Sequence, residues 1–113
     1  MKRKINSRNK GNSYERAIRK EMLEWFPDCQ TARYQSKFTD DILKTDLCNT
    51  GMFRIQCKAQ ERGMNPFETL DIMPKDDDIN VIFHKKNRQG ELAIMSKKDF
   101  YAILDYFNKF GIL

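Results

Sequence analysis

The stretch that decides the fold is D-L-C-N-T-G-M-F-R-I-Q-C-K, residues 46–58. From position 53 onward apolar and polar side chains alternate, which is the period of a half-buried strand. The apolar set and the polar set are, in turn, Phe53, Ile55, Cys57 and Arg54, Gln56, Lys58. Gly51 precedes this strand and favours a tight turn, because glycine adopts a positive φ without steric cost. The segment therefore predicts a hairpin whose second strand turns one face to a core.

The length of the hairpin loop decides where Asp46 points. A two-residue loop at Thr50 and Gly51 places Asp46 opposite Ile55, on the buried face. A three-residue loop closed by a glycine bulge places Asp46 opposite Arg54 instead. An ionised carboxylate in an apolar core is costly. We therefore favour the three-residue loop.

With that register, one strand face carries a carboxylate, an amide oxygen and an ammonium group, from Asp46, Gln56 and Lys58. Oxygen ligands of this kind suit a divalent cation, and Lys58 would then lie beside an attacked phosphate. The alternative is a solvated strand face of mixed charge, which is what most such faces are. Spacing alone does not decide between these two interpretations.

Length and composition predict one intracellular, cytoplasmic domain. Its 113 residues suffice for a modest core, and no apolar run approaches the ~20 residues of a membrane span. The basic start is followed by polar residues, unlike a secretory signal. The three cysteines lack the C-x-x-C spacing of a zinc site and fit reduced thiols. A formal charge of +5 favours a polyanionic partner such as a nucleic acid.

The N-terminal region divides into a basic arm and a helix. Residues 1–10 are nearly free of apolar side chains and predict a flexible arm, either along a phosphate backbone or only solubilising. The folded domain would then span residues 11–113. A helix is predicted over residues 12–26, with Asn12 as its cap. Glu15 fits two roles that are compatible: the carboxylate of a capping box and a metal ligand facing the sheet.

The rest of the chain adds strands and two helices. The further predicted strands cover residues 29–36, 80–86 and 91–95. Asn65 before a proline predicts a short helix, and Ser96 with Asp99 opens the last helix as a capping box. His84, the single histidine, is expected to be structural. The order predicts an α/β fold with a mixed central sheet of about five strands flanked by helices.

This order of elements and acids resembles the PD-(D/E)xK nuclease superfamily. A glutamate on the first helix precedes an aspartate that opens a strand, and Q-C-K then stands at the (D/E)xK position. The segments K-G-N-S-Y-E-R, V-I-F-H-K-K-N-R and E-L-A-I-M are similar to archaeal and phage Holliday-junction resolvases of that superfamily. The resemblance implies a single restriction-endonuclease-like domain.

The resemblance also implies an activity. It implies hydrolysis of DNA phosphodiesters with Mg²⁺, or Mn²⁺, by a homodimer that cuts four-way junctions symmetrically. The implied catalytic residues are Glu15, Asp46, Gln56 and Lys58, and the implied metal ligands are the first three. Gln56 departs from the superfamily, in which this position usually carries an acid. Glu61 and Asp41 are the carboxylates that could restore the charge.

Candidate DNA contacts lie in the arm, around the first strand and at the second hairpin. They are Lys2, Arg3, Lys4, Arg8, Lys10, Arg33, Ser36, Lys85, Lys86 and Arg88. Ser36 is included because the resemblance places a family serine there, and the basic residues are equally consistent with an ordinary solvated surface. Two other functions stay open: a restriction-type or repair nuclease of the same fold, and a non-catalytic module that binds nucleic acid.

Overall fold

The computed structural model describes residues 7–32 and 44–113. The helices in these ranges are α1 (Ser7–Met22), α2 (Pro66–Asp71) and α3 (Lys97–Lys109). The strands are β1 (Gln30–Thr31), β2 (Leu47–Cys48), β3 (Phe53–Lys58), β4 (Ile79–Lys86) and β5 (Gly90–Ile94). Of the helices described, not one is long and apolar enough to cross a bilayer.

The strands form two sheets. β1 pairs antiparallel with β2, while β4 lies between β3, which it pairs in parallel, and β5, which it pairs antiparallel. The predicted mixed α/β architecture is thus confirmed. The expected single sheet of about five strands is not formed, because β2 is only two residues long and separates from β3 after a short contact.

The alternation along β3 is confirmed, and both of its faces are covered. Ile55 and Cys57 pack with Tyr14 and Ile18 of α1 in the main apolar cluster. On the opposite face, the Arg54 guanidinium donates to the Pro74 carbonyl across 3.3 Å. Polar side chains on this face are as buried as the apolar ones, with Arg54 6% and Gln56 9% exposed. The interpretation of this face as a solvated surface is therefore wrong.

The first helix begins earlier than the sequence pattern predicts. α1 starts at Ser7, so Asn12 lies inside the helix and cannot act as its N-cap. The capping-box role predicted for Glu15 is therefore also wrong, because that role needs Asn12 at the N-cap. Residues 7–10 of the predicted arm are helical, and residues 1–6 lie outside the described part of the chain. The helix ends at Met22, somewhat before the predicted position 26.

The predicted starts of α2 and α3 agree with the structure. The Asn65 side chain accepts from the backbone N–H groups of Phe67 and Glu68, at 3.0 and 3.3 Å. The Ser96 hydroxyl accepts from the N–H of Asp99 at 3.0 Å. Both helix starts are confirmed, and β4 and β5 agree with their predicted ranges within one residue. The strand predicted over residues 29–36 is described only as far as position 32.

The loop between β2 and β3 is longer than either alternative considered from sequence. It consists of residues 49–52, with both Asn49 and Gly51 at positive φ, 62° and 61°. The backbone N–H of Asp46 donates to the Ile55 carbonyl across 2.7 Å. Asp46 therefore lies opposite Ile55 and is buried, which is the pairing of the rejected two-residue loop, and the favoured pairing with Arg54 is wrong.

Replacing Gly51 by alanine is expected to lower the free energy of unfolding by about 1–2 kcal/mol. Its φ is +61°, and an added Cβ would lie 3.0 Å from Cε1 of Phe26. Gly63→Ala is the matched control, because Gly63 also has a positive φ but no atom within 4 Å of the added Cβ. Urea unfolding of both variants measures the difference. Equal destabilisation would show that the Phe26 contact costs nothing.

Candidate active site

The carboxylate of Asp46 lies where β2 and β3 separate. Its Oδ2 accepts a hydrogen bond from the backbone N–H of Cys57 across 2.7 Å. In a regular antiparallel ladder a main-chain carbonyl of the neighbouring strand would take this N–H. The side chain of Asp46 thus replaces a ladder acceptor and occupies the gap between the two segments, with 9% of the residue exposed.

Thr45 closes the same gap from the other side of Asp46. Its hydroxyl oxygen lies 2.7 Å from the Leu47 carbonyl and 3.2 Å from the Ile55 carbonyl, both possible acceptors of its single proton. It also accepts from the N–H of Ile55 at 3.3 Å. Thr45 therefore orients the aspartate that follows it. Sequence reasoning missed this role, for which the only signal is a hydroxyl residue directly before the candidate ligand.

Glu15 is buried on α1, 5% exposed, and it lies on the side of the sheet that α1 covers. Burial raises the pKa of the Cys57 thiol, and the carboxylates of Asp46 and then Glu15 raise that pKa further. Both carboxylates therefore lie close enough to act on one thiol.

Gln56 and Lys58 lie on the opposite face of β3 from Cys57. The side-chain amide nitrogen of Gln56 donates to the Lys44 carbonyl, across the gap that also holds Asp46. Lys58 is half-buried at the end of β3 and adjoins His84 of β4 in register. Asp46 therefore shares the α1 side of β3 with Glu15, while the Gln56 amide reaches the Lys44 carbonyl from the other face. The predicted arrangement on a single strand face is wrong.

The donors around the gap suit a hard cation. Within residues 7–32 and 44–113, no group of three or more His, Cys, Asp or Glu side chains is placed to hold a metal. The candidate set has only two such residues, Glu15 and Asp46, and its third member is the amide oxygen of Gln56. Carboxylate and amide oxygens are ligands that Mg²⁺ and Mn²⁺ accept. The donor types fit such an ion, with less charge than three acids would give, and β3 lies between Gln56 and the two carboxylates.

Glu61 contacts α1 and the turn after β4. Its Oε1 accepts from the Lys10 ammonium at 3.2 Å and from the backbone N–H of Asn87 at 2.8 Å. The Asn87 N–H, followed by Lys10, lowers the pKa of the Glu61 carboxyl. Glu61 thereby ties α1 to the turn after β4. Asp41, the other acid considered as a substitute, lies outside the described residues.

The basic residues proposed as DNA contacts are only partly described. The Lys85 ammonium lies 5.8 Å from the centre of the Tyr14 ring, next to Glu15 on α1. Lys10 forms its ion pair with Glu61, and Arg88 is exposed at a φ of 64° in the β4–β5 turn. Lys86 is half-buried at the end of β4, and Arg8 lies within α1. The remaining candidates, Lys2, Arg3, Lys4, Arg33 and Ser36, fall outside the described residues.

Tyr14 connects this basic side to the acids. Burial, followed by the nearby Glu91 carboxylate, raises the pKa of its phenol. Among the described residues its hydroxyl finds no partner within ordinary hydrogen-bond geometry, although the residue is 5% exposed. The Tyr14 ring therefore fills the core below Lys85 and holds that ammonium near the turn of α1 that carries Glu15.

Two grooves are described, and both lie away from this gap. One is formed by the turn after α1 and the β2–β3 loop, and the other by α2, β5 and the start of α3.

Comparison of the chain with protein-family models, with curated protein sequences and with solved structures finds no match.

Proposed function

We propose that this protein is a divalent-metal-dependent DNA endonuclease of the PD-(D/E)xK type that cuts branched DNA, with the four-way junction as its substrate. The observation that carries the proposal is the buried Asp46 carboxylate, which accepts from the Cys57 N–H of β3 at 2.7 Å, with Glu15 also buried on α1. Gln56 and Lys58 flank Cys57 on β3, one position on either side. The order of the four candidate residues along the chain supports the same assignment.

The roles of the side chains follow from their chemistry. Glu15, Asp46 and the amide oxygen of Gln56 would hold the metal. The chemistry supplied by bound Mg²⁺ is polarisation of a phosphoryl oxygen and activation of an attacking water. The Lys58 ammonium donates hydrogen bonds to the phosphate oxygens on which negative charge develops. Lys85, held over Tyr14, attracts the DNA backbone to this side of α1.

Cleavage of synthetic substrates tests the proposal directly. Wild-type protein with Mg²⁺ is expected to cut a labelled four-way junction faster than a linear duplex of the same sequence. Lys58→Met is expected to bind the junction but cut it at least about a hundredfold more slowly. Lys75→Met is the matched control, since Lys75 is exposed and contacts the end of α2. Junction binding without cleavage by the wild type would instead identify a non-catalytic binding module.

Gln56→Glu is expected to make the stability of the protein more dependent on metal than it is in the wild type. Without metal the new carboxylate faces the Lys44 carbonyl, to which Gln56 now donates, so the melting temperature should fall. With Mn²⁺ or Mg²⁺ the added charge joins two carboxylates around a cation, so the melting temperature should recover and cleavage should increase.

Thermal melts in chelator and in metal measure the effect of Gln56→Glu. Gln60→Glu serves as the control, because it adds the same charge at an exposed position four residues later. If the metal-dependent rise in melting temperature is the same in both variants and the wild type, Gln56 does not face the metal.

A further inference from the structure

His84 is a buried side chain that the proposed chemistry does not use. It is 9% exposed and lies on β4, directly beside Lys58 of β3 in the parallel ladder. Residues that pair across neighbouring strands turn their side chains to the same face of the sheet. Alternation along β3 places Gln56 on this face as well. The imidazole therefore lies next to the Lys58 side chain, between it and Leu92 of β5.

The hydrogen-bond partner of His84 comes from the segment that follows Lys58. The imidazole Nε2 lies 2.8 Å from the main-chain carbonyl oxygen of Gln60. Because a carbonyl oxygen only accepts, Nε2 carries a proton and donates this bond. β3 ends at Lys58, whereas β4 continues to Lys86. A side chain of β4 thus holds the chain just beyond the end of β3.

The segment after Lys58 is held at two successive residues, and the His84 bond is the nearer of the two along the chain. The next residue, Glu61, accepts from the Asn87 N–H at 2.8 Å. Gln60 and Glu61 are exposed, so these bonds, and not burial, fix the course of the segment. Loss of the His84 bond would let the chain next to Lys58 move.

We propose that His84 is a positioning residue for Lys58, which it holds through the Gln60 carbonyl and through the imidazole that lies beside the lysine. The inference rests on the proposed function, in which the Lys58 ammonium stabilises charge on the phosphate. Such a donor is effective only when it is preorganised, and a displacement of about 1 Å can lower a rate about a hundredfold. A misplaced lysine should therefore slow the chemical step more than it weakens binding.

Paired substitutions of His84 test the proposal by junction cleavage. Leucine fills the space of the imidazole but removes the donor, whereas the side-chain amide of glutamine can donate from about the same place. His84→Leu is expected to lower kcat about ten- to a hundredfold at an unchanged KM. His84→Gln should recover most of the rate, which a purely packing role of the ring would not produce.

Leu92→Ala is the matched control, because Leu92 pairs with His84 from β5, on the side away from Lys58. It should leave kcat unchanged. Circular dichroism checks that each variant is folded. His84→Ala removes the same donor without added apolar bulk, and it replaces His84→Leu if leucine prevents folding.

Labelling of the Lys58 amine gives a second measurement that does not depend on cleavage. Acetylation with an N-hydroxysuccinimide ester, quantified by mass spectrometry, should be several-fold faster at Lys58 in His84→Leu than in the wild type. Lys75, whose side chain is 64% exposed, serves as the internal reference.

The two measurements separate the positioning role from the proposed function. A wild type that cuts no junction contradicts the proposed function, and the labelling of Lys58 then decides on His84. Equal labelling of Lys58 in His84→Leu and the wild type overturns the positioning role. A folded His84→Leu protein that cuts like the wild type also overturns it, and so does a His84→Gln protein as slow as His84→Leu.

Discussion

Asp46→Asn is expected to lower the rate of junction cleavage at least about a hundredfold without unfolding the protein. Asparagine keeps an oxygen that can accept from the Cys57 N–H, now 2.7 Å from the Asp46 carboxylate. It removes one of the two buried negative charges that act on the Cys57 thiol. Metal affinity should therefore fall, while one charge fewer has to be kept out of water.

The stability of this variant separates a functional acid from a structural one. If Asp46 serves a metal site, Asp46→Asn in chelator should be as stable as the wild type, or more stable, while activity is lost. Asp46→Ala should instead lose about 1–3 kcal/mol, because it leaves the buried Cys57 N–H without its acceptor. Thermal melts and calorimetric titration with Mn²⁺ measure the two properties.

Asp77→Asn is the control for charge, because Asp77 is exposed and remote in sequence from the gap. It should change neither metal binding nor cleavage. Full cleavage by a folded Asp46→Asn protein would contradict the assignment of Asp46 as a ligand. A large loss of stability in Asp46→Asn would show that its charge serves the fold instead.

Arg54→Met is expected to lower the free energy of unfolding by about 2–3 kcal/mol. The guanidinium is 6% exposed and donates to Asp76 at 2.7 Å and to Asn80 at 2.9 Å. It also reaches Asp78 at 3.3 Å. Because both aspartate side chains are 48% exposed, they remain hydrated after the change, and the loss stays below that of a fully buried pair.

The pH dependence of this network has a defined sign. The Arg54 guanidinium, followed by the N–H of Asp78, holds the pKa of the Asp76 carboxyl below its ordinary value of 3.8. A lowered pKa stabilises the fold above the ordinary value, and this contribution is lost as the pH falls through the folded-state pKa. The stability difference between wild type and Asp76→Asn should therefore be largest near neutral pH and disappear in acid.

Urea unfolding at neutral and acidic pH measures both effects. Arg62→Met is the control for Arg54→Met, since Arg62 is exposed in the loop after β3. It should leave stability unchanged within about 0.5 kcal/mol. An Arg54→Met protein as stable as this control would show that the buried network adds no net stability.

The sequence by itself determined the elements whose signals are local. The two-residue alternation predicted β3, and the side-chain oxygens of Asn65 and Ser96 predicted two helix starts. The β4–β5 hairpin was predicted within one residue at its ends. Each of these signals involves residues within a few positions of one another, so it can be read without knowing what packs against the segment.

Only the tertiary structure decided how these elements meet. The loop takes in residues 49–52, with Asn49 and Gly51 both in the left-handed region, and Asp46 pairs opposite Ile55 on the buried face, the pairing rejected from sequence. The early start of α1 buries Glu15 in mid-helix instead of at a cap. The physical reason is that strand pairing and burial depend on contacts between residues far apart in the chain. A short pattern records which face of β3 is polar, but not that neighbouring elements cover that face as well.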